Sequence, residues 1–233
     1  MQQTPAQLRA AVHDALEYLR ETFPLQQRIE AASPPVRSAY VQLLNSWRID
    51  AAPPQSSTID SARLAALVDL DAVVLQANGL GCYPFSADET PFQAHCADGA
   101  KVYAFCAIDT LAIPRLLGRR SRVEGHCASC GRALYCEVGE NGGLPEQPLD
   151  HTAVVWGQSD LSRNGRPCCD RLCPNIQFMC ATCAGWSDAR VFTLPQAAVI
   201  ANVFFSFQQH LTDPAGTAAT AVSRQAKGTT THE

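Results

Sequence analysis

Cys106 and Asp109 lie three positions apart, at the end of an apolar run that begins at Tyr103. Residues three apart share one face of a helical turn, so the thiol and the carboxylate can contact the same bound atom. A thiolate is a soft nucleophile and soft-metal ligand, while a nearby carboxylate can accept or deliver a proton. Simple burial is the other interpretation of a cysteine in an apolar run. The pairing favours thiolate chemistry assisted by proton transfer.

The residues around this pair extend the pattern. Phe105–Leu111 reads Phe-Cys-Ala-Ile-Asp-Thr-Leu and is followed by Pro114, Leu117-Gly118-Arg119 and His126-Cys127-Ala128. In residue type and spacing, the stretch resembles the alkylmercury lyases, also called organomercurial lyases, without a gap. The resemblance implies an enzyme that cleaves the carbon–mercury bond by protonolysis and releases a hydrocarbon and mercuric ion, in mercury detoxification.

The resemblance also implies roles for individual residues. In these lyases a cysteine of a C-x-x-D motif and a second cysteine far downstream bind mercury, and the aspartate moves the proton. These positions correspond to Cys106, Asp109 and Cys173, with Cys168 and Cys169 as competitors for the downstream place. No dissociable cofactor is expected, because mercury is substrate and product. The expected partners are organomercurial small molecules, cellular thiols and a mercuric reductase that receives the ion.

Four further cysteines form two C-x-x-C pairs, Cys127/Cys130 and Cys180/Cys183. The family resemblance implies a buried, structural Cys127. Two such pairs brought together can form a tetrahedral thiolate zinc site, although the 49 residues between Cys130 and Cys180 exceed the usual zinc-ribbon gap. Three interpretations stay open: a structural zinc site, extra thiols that scavenge mercury, and unligated thiols.

The remaining cysteines fall into two groups. Cys168-Cys169 lies in a polar loop and is expected to be exposed and mobile, where it could pass mercuric ion onward by thiol exchange or simply face solvent. Cys82, Cys96 and Cys136 lie in apparent strands, where packing is the favoured interpretation.

Four side chains flank the proposed site cysteines: Tyr103, Phe105, Phe178 and Met179. They could line an apolar pocket for the organic group of the substrate. Ordinary core packing is an equal alternative.

The elements that must position these residues begin with helices. Apolar spacing, caps and prolines predict helices at 7–22, at about 37–48, from Ser61 and from about Asp71. An apparent strand pair, 82–85 and 92–96, with a wing closing at 98–99, completes the outline of a winged-helix module. The recognition helix offers little basic charge, so a scaffold role is favoured over DNA binding.

The second half alternates between strands and connections. A strand at 101–105 should deliver Cys106, and Asp109 should cap a short helix that contains Pro114 and ends at Gly118. Further predicted elements are strands at 122–127, 133–138, 151–157 and 172–179, and a final helix at 195–210 with Val199, Val203, Phe207 and Leu211 on its inner face.

These elements predict an α+β protein. Residues 1–90 form a winged-helix-like helical domain, residues 91–214 form a catalytic domain with a mixed or antiparallel sheet and flanking helices, and residues 215–233 form a disordered tail.

Composition narrows the class of protein. With 46% hydrophobic and 17% charged residues, the 233-residue chain can bury one sizeable core. The net charge of −4 arises in the first 91 residues, which disfavours a nucleic-acid partner. No signal peptide or membrane-spanning run is evident, so a soluble, cytoplasmic protein without membrane contact is expected.

The alternative to a lyase is a non-catalytic thiolate protein that binds zinc or mercury, or a metal-responsive regulator.

Overall fold

The computed structural model describes residues 4–145, 152–157 and 165–212. The helices within these ranges are α1 (Pro5–Thr22), α2 (Leu25–Ala31), α3 (Pro34–Asp50), α4 (Ser61–Asp69), α5 (Ala107–Leu117), α6 (Cys168–Arg171), α7 (Ala181–Ala184), α8 (Leu194–Phe204) and α9 (Ser206–Thr212). The strands are β1 (Val73–Gln76), β2 (Gly79–Cys82), β3 (Phe85–Ser86), β4 (Gln93–Cys96), β5 (Lys101–Ala104), β6 (Ser121–His126), β7 (Ala133–Val138), β8 (Thr152–Trp156), β9 (Ile176–Cys180) and β10 (Arg190–Thr193). The predicted tail at 215–233 lies outside the described residues.

The strands form two antiparallel sheets. Seven strands pair in the order β1-β2-β3-β5-β4-β6-β7, and three in the order β10-β8-β9. Helices and antiparallel sheets together confirm the α+β class. Within the part of the chain that the structure describes, no helix is both long and apolar enough to cross a bilayer.

The first two predicted helices are confirmed as α1 and α3. A capping box between Thr4 and Gln7 starts α1, and Leu16 and Leu19 lie on its buried face. Pro34 occupies the first turn of α3, so this helix begins earlier than its apolar stripe suggests.

The fourth helix predicted from Asp71 is wrong, because this segment forms strand β1. Its Val73-Val74-Leu75 run contains β-branched residues, which favour a pleated strand. The turn at Ala77-Asn78 closes the hairpin between β1 and β2, where Gln76 pairs with Gly79.

The predicted pairing of 82–85 with 92–96 is also absent. Residues 82–85 divide between β2 and β3, and β3 pairs with β5. The turn at 98–99 does close a hairpin, but it joins β4 to β5. The seven-stranded sheet takes strands from both sides of residue 90. The winged-helix outline and the domain boundaries stay predictions.

Helix α5 is the buried centre of the fold. It runs from Ala107 to Leu117 with Pro114 inside it, and Gly118 ends it in the left-handed conformation with φ +63°. Cys106, not Asp109, occupies the capping position, so the predicted cap was wrong by three residues. The change places Asp109 in the first turn, facing inward.

The final helix is divided, and its predicted inner face is partly wrong. Helix α8 ends at Phe204 and α9 begins at Ser206. Val199 and Val203 are 49% and 39% exposed, whereas the buried face carries the set Ala197, Ile200, Ala201 and Phe204. The small alanines allow α8 to pack closely against α1 and α5. Phe207 is buried as predicted.

Candidate active site

Cys106, Asp109 and Cys173 meet in the interior of the protein. One ligand atom from each lies within 4.8 Å of the others, and all three side chains are buried. The Cys173 thiol donates a weak hydrogen bond to Asp109 Oδ2 across 3.7 Å. Two sulfurs and one carboxyl oxygen therefore surround a single point, although Asp109 and Cys173 are 64 positions apart in sequence.

Strand β5 and helix α5 together position the first two groups. The chain leaves β5 in extended conformation at Cys106 and turns directly into α5. The Thr110 hydroxyl and the Thr110 N–H both donate to the Cys106 carbonyl, at 2.6 and 3.0 Å, which fixes this turn.

Cys173 comes from the other half of the chain. It lies in a 3-10 turn, Cys173–Asn175, between α6 and β9, so the strand predicted from Leu172 begins four residues later. The Gly157 N–H donates to the Asn175 carbonyl across 2.9 Å and joins this turn to the end of β8. The thiol is thereby held at the edge of the three-stranded sheet.

The pKa of each of the three clustered groups is higher than the ordinary value for its residue type. Burial raises the pKa of Asp109 to about 7, against the opposing hydrogen bonds from the two thiols. Burial also raises the pKa of Cys106 to about 11. The pKa of Cys173 lies well above its ordinary value because of its side-chain hydrogen bonds with Cys106 and Cys168 and its burial. The resting site is thus close to neutral, with Asp109 as its most acidic group.

A third thiol reaches the site. Cys168 Sγ lies 4.0 Å from Cys173 Sγ and is buried, which corrects the expectation of an exposed, mobile Cys168-Cys169 pair. The pair opens helix α6, and only Cys169 is partly exposed. The polar sequence around Cys168 and Cys169 predicts exposure of both thiols. Helix α6 instead buries the Cys168 thiol.

Asp71 holds α6 in place, and sequence reasoning missed it. Its carboxylate accepts the Cys168 N–H at 3.0 Å and the Tyr83 hydroxyl at 3.2 Å, while the same hydroxyl accepts the Cys169 N–H at 2.9 Å. Arg28 and Arg171 lie 3.6 and 3.9 Å from the carboxylate. No local spacing connects residues 97 positions apart, so the sequence alone could not reveal this contact.

The cavity at the three groups is small and apolar. Its volume is about 10 Å³, and its other walls are the side chains of Leu19, Phe23, Tyr83, Ile108, Cys168, Leu172, Ile176, Phe204 and Phe205. None of the four expected aromatic or methionine walls lines it. Helices α1 and α8, with the residue that follows each of them, provide walls that the spacing around Cys106 does not indicate.

A larger cleft lies on the other side of α6. Its volume is about 1020 Å³, and its lining includes Asp71, Phe105 and Cys169. Neither Cys106 nor Cys173 lines this cleft, so the buried cluster is separated from it. Helix α6 is the partition, with Cys168 on the cavity side and Cys169 on the cleft side.

The remaining cysteines behave as two groups. The thiols of Cys127, Cys130, Cys180 and Cys183 come within 4.8 Å of one another, although the two pairs are distant in sequence. Cys82, Cys96 and Cys136 are buried, as their packing interpretation predicts.

The chain is similar to known proteins in sequence. A family model described as alkylmercury lyase matches residues 85–205. The alkylmercury lyase of Pseudomonas putida is 36% identical over 53 residues, which make up 23% of this chain and 25% of the relative. That of Bacillus cereus is 40% identical over 65 residues, or 28% of this chain and 30% of the relative. The matched segments therefore span less than a third of these curated relatives.

A solved structure shares the fold. The mercury-bound form of MerB2 superposes with a TM-score of 0.61 at 20% identity, covering 79% of this chain and 96% of the other. The family match includes two of the three clustered groups within their C-x-x-D motif and the third downstream. Because this match covers more than half of the sequence, the chain belongs to the alkylmercury lyase family.

Proposed function

We propose that this protein is an organomercurial lyase, which converts an organomercury compound into a hydrocarbon and mercuric ion. The observation that carries the proposal is the buried cluster of two thiols and one carboxyl group within 4.8 Å. Two sulfurs suit the linear coordination of a soft metal, and a carboxyl group beside them can move a proton. Membership of the alkylmercury lyase family supports the same reaction.

The reaction balances with the groups present. An organomercury thiolate, R–Hg–SR′, exchanges its thiolate for the Cys106 sulfur, and the displaced R′S⁻ leaves as R′SH with one protein proton. The Cys173 sulfur then bonds to mercury and gives its proton to Asp109. Electron donation from two sulfurs weakens the carbon–mercury bond, and Asp109 delivers the proton to carbon. The products are R–H and mercuric ion held by two protein thiolates.

The proton inventory supports Asp109 as the carrier. With a pKa of about 7, its carboxyl group can both accept and release a proton near neutral pH. The two thiols hold their protons in the resting site, and metal coordination is what releases them. No dissociable cofactor is needed for these steps.

Product release needs other thiols, because two protein thiolates bind mercuric ion tightly. Cys168, 4.0 Å from Cys173, can take the ion by exchange, and Cys169 lies on the open side of α6. Small cellular thiols, or a mercuric reductase, would then receive it. The eleven cysteines all occur as free thiols, which suits a reducing compartment such as the cytoplasm.

The test is hydrocarbon release from methylmercury and phenylmercury with excess small thiol, measured by gas chromatography. The wild-type chain should release methane and benzene. Asp109→Ala should lose at least about a hundredfold in rate, as expected for removing a proton carrier, while still binding mercury through Cys106 and Cys173. Cys136→Ala, which removes a buried thiol outside the site, serves as the matched control. A wild-type chain that binds mercury but releases no hydrocarbon would show a non-catalytic metal-binding protein and overturn the proposal.

A further inference from the structure

The four thiols of the two C-x-x-C pairs lie outside the candidate active site and have no part in the lyase reaction. Cys127 follows β6 and Cys130 lies in the turn before β7, while Cys180 ends β9 and Cys183 lies in α7. Cys127 and Cys180 are buried, whereas Cys130 is exposed and Cys183 is half-buried. An ion could therefore reach the cluster from solvent.

The sulfur spacing fits a tetrahedral metal ion and does not fit disulfides. Cys180 Sγ lies 3.8 Å from Cys127 Sγ and 3.9 Å from Cys130 Sγ. Zinc–sulfur bonds of about 2.3 Å give a tetrahedron whose edges are about 3.8 Å. A disulfide requires a sulfur–sulfur distance of about 2.05 Å, so these thiols are separated by a distance that a central ion would bridge.

The local backbone holds each pair in a ligating shape. The Gly131 N–H donates to the Cys127 carbonyl at 2.8 Å, and Gly131 adopts a left-handed φ of +73°, which folds this turn back on itself. In the second pair, Cys180 occupies the capping position of α7 and Cys183 follows at three residues, on the same face.

The two turns are also held against each other without any ion. The Ala128 N–H donates to the Phe178 carbonyl at 3.0 Å. Beside this bond, Gly125 leaves room for the Phe178 ring, since a Cβ there would lie 2.6 Å from the ring. The four sulfurs are therefore preorganised by contacts that do not depend on them.

We propose that Cys127, Cys130, Cys180 and Cys183 bind one structural zinc ion that joins the β6–β7 turn to the end of β9. Binding releases four thiol protons and forms a closed four-thiolate site, with no position left for a substrate. The zinc ion would thereby link the seven-stranded sheet to the three-stranded sheet at the C-terminal end of β9. The N-terminal end of the same strand follows the turn that contains Cys173. This proposal does not depend on the lyase reaction.

Metal content of the purified full-length chain tests the proposal. After expression with added zinc and purification under reducing conditions, elemental analysis should find about one zinc per chain, as a single four-thiolate site requires. Cys130→Ser should retain less than a tenth of that zinc. Cys169→Ser removes a partly exposed thiol elsewhere and should retain all of it. Wild-type protein with less than half an equivalent of zinc, or with iron or mercury instead, would overturn the assignment, as would full zinc in Cys130→Ser.

A second measurement stays informative even where a variant folds poorly. Wild-type protein stripped of metal and reconstituted with Co²⁺ should show the ligand-field and sulfur-to-metal absorption bands of tetrahedral cobalt thiolate. A strong chelator should lower the melting temperature of wild-type protein and leave that of Cys183→Ser unchanged. Octahedral cobalt spectra, or a chelator effect of equal size in both proteins, would contradict a four-thiolate site.

Discussion

At the scale of single residues, Asp109 carries the largest consequence for pH. Its carboxyl group ionises with a pKa of about 7 in the folded chain, against an ordinary value of 3.8. Between these pH values the folded state holds a proton that the unfolded state has lost. Stability contributed by this group is therefore present at low pH and is lost as the pH rises through about 7.

Asp109→Asn should remove this dependence. Above pH 7 the variant should be more stable than the wild type, by up to about 4 kcal/mol for a shift of this size, and near pH 4 the two should be alike. Thermal unfolding at a series of pH values measures the difference. Asp98→Asn, an exposed carboxylate, is the control and should show no such gain. An equal melting-temperature difference at both ends of the range would contradict a raised pKa at Asp109.

In the proposed reaction, Cys168 acts in the release of mercuric ion and not in the cleavage of the carbon–mercury bond. Because its sulfur contacts Cys173 but not Asp109 within the site cluster, Cys168→Ser should still cleave the carbon–mercury bond in a single turnover. Transfer of mercuric ion to a small thiol should slow, by about tenfold if exchange at this sulfur limits turnover.

Rapid-quench kinetics with one equivalent of phenylmercury, compared with steady-state rates, separates these steps. Cys96→Ser, a buried thiol elsewhere, should leave both rates unchanged. A slow single turnover in Cys168→Ser would instead place this thiol in the bond-breaking step.

At the scale of secondary structure, α6 depends on a residue far away in sequence. Asp71 accepts the first N–H of this four-residue helix and approaches Arg171 at its end. Such a short helix cannot persist by its own hydrogen bonds, so its orientation is set by this contact.

Asp71→Ala should free α6 and move Cys168 out of the cavity. We expect a loss of about 1–3 kcal/mol in unfolding free energy, the typical result of leaving a buried donor without its acceptor. Denaturant unfolding measures that loss, and alkylation of Cys168 followed by mass spectrometry measures exposure. Asp60→Ala, which removes an exposed helix cap, is the control for lost stability alone. Unchanged alkylation in Asp71→Ala would show that α6 is held by other contacts.

The close approach of β6 to β9 makes a second prediction at this scale. Gly125→Ala would place a Cβ 2.6 Å from the Phe178 ring, so the ring or the strand must shift. Overpacking of this kind costs about 1–3 kcal/mol, and the strand after Cys173 should be displaced. Gly131 offers the contrast, because a Cβ there meets nothing within 4 Å and only its positive φ opposes substitution. If Gly125→Ala were as stable as the wild type, the Phe178 ring would be able to move away from residue 125 without loss of stability.

At the scale of the whole molecule, local patterns and long-range contacts differ in what the sequence reveals. The C-x-x-D motif, α1, α3 and the β6–β7 hairpin follow from spacing that is complete within a short window. The sequence predicts a helix where strand β1 lies, because a segment of four residues cannot distinguish the helical period from the strand period. The walls of the cavity, and the contact between Asp71 and α6, required the tertiary fold. The meeting of Cys106 with Cys173 was predicted only through the family resemblance, since no local rule relates them.

The N-terminal helices close the site, so the choice of substrate should depend on them. Phe23 follows α1, lines the cavity and packs edge-on against Tyr83 at 4.8 Å between ring centres. With a cavity of only about 10 Å³, bulky organic groups must displace side chains to enter. Phe23→Leu should therefore raise the rate on phenylmercury relative to methylmercury.

The ratio of benzene to methane release, measured under identical conditions, reports this change. Phe85→Leu is the matched control, because this buried ring stacks on Trp47 away from the cavity and should lose stability without altering the ratio. An unchanged ratio in Phe23→Leu would mean that another wall sets the size limit.

Strand β9 has one thiol site before its first residue and another at its last. Its five residues separate the two by about 13 Å, too far for a metal ion to step from sulfur to sulfur. Mercuric ion shed by the inner pair could attack the outer four only after passing through bulk water. Small thiols around the protein would then have two effects. They would remove mercuric ion from the inner pair after each turnover, and they would bind the released ion before it could displace zinc from the outer four thiolates.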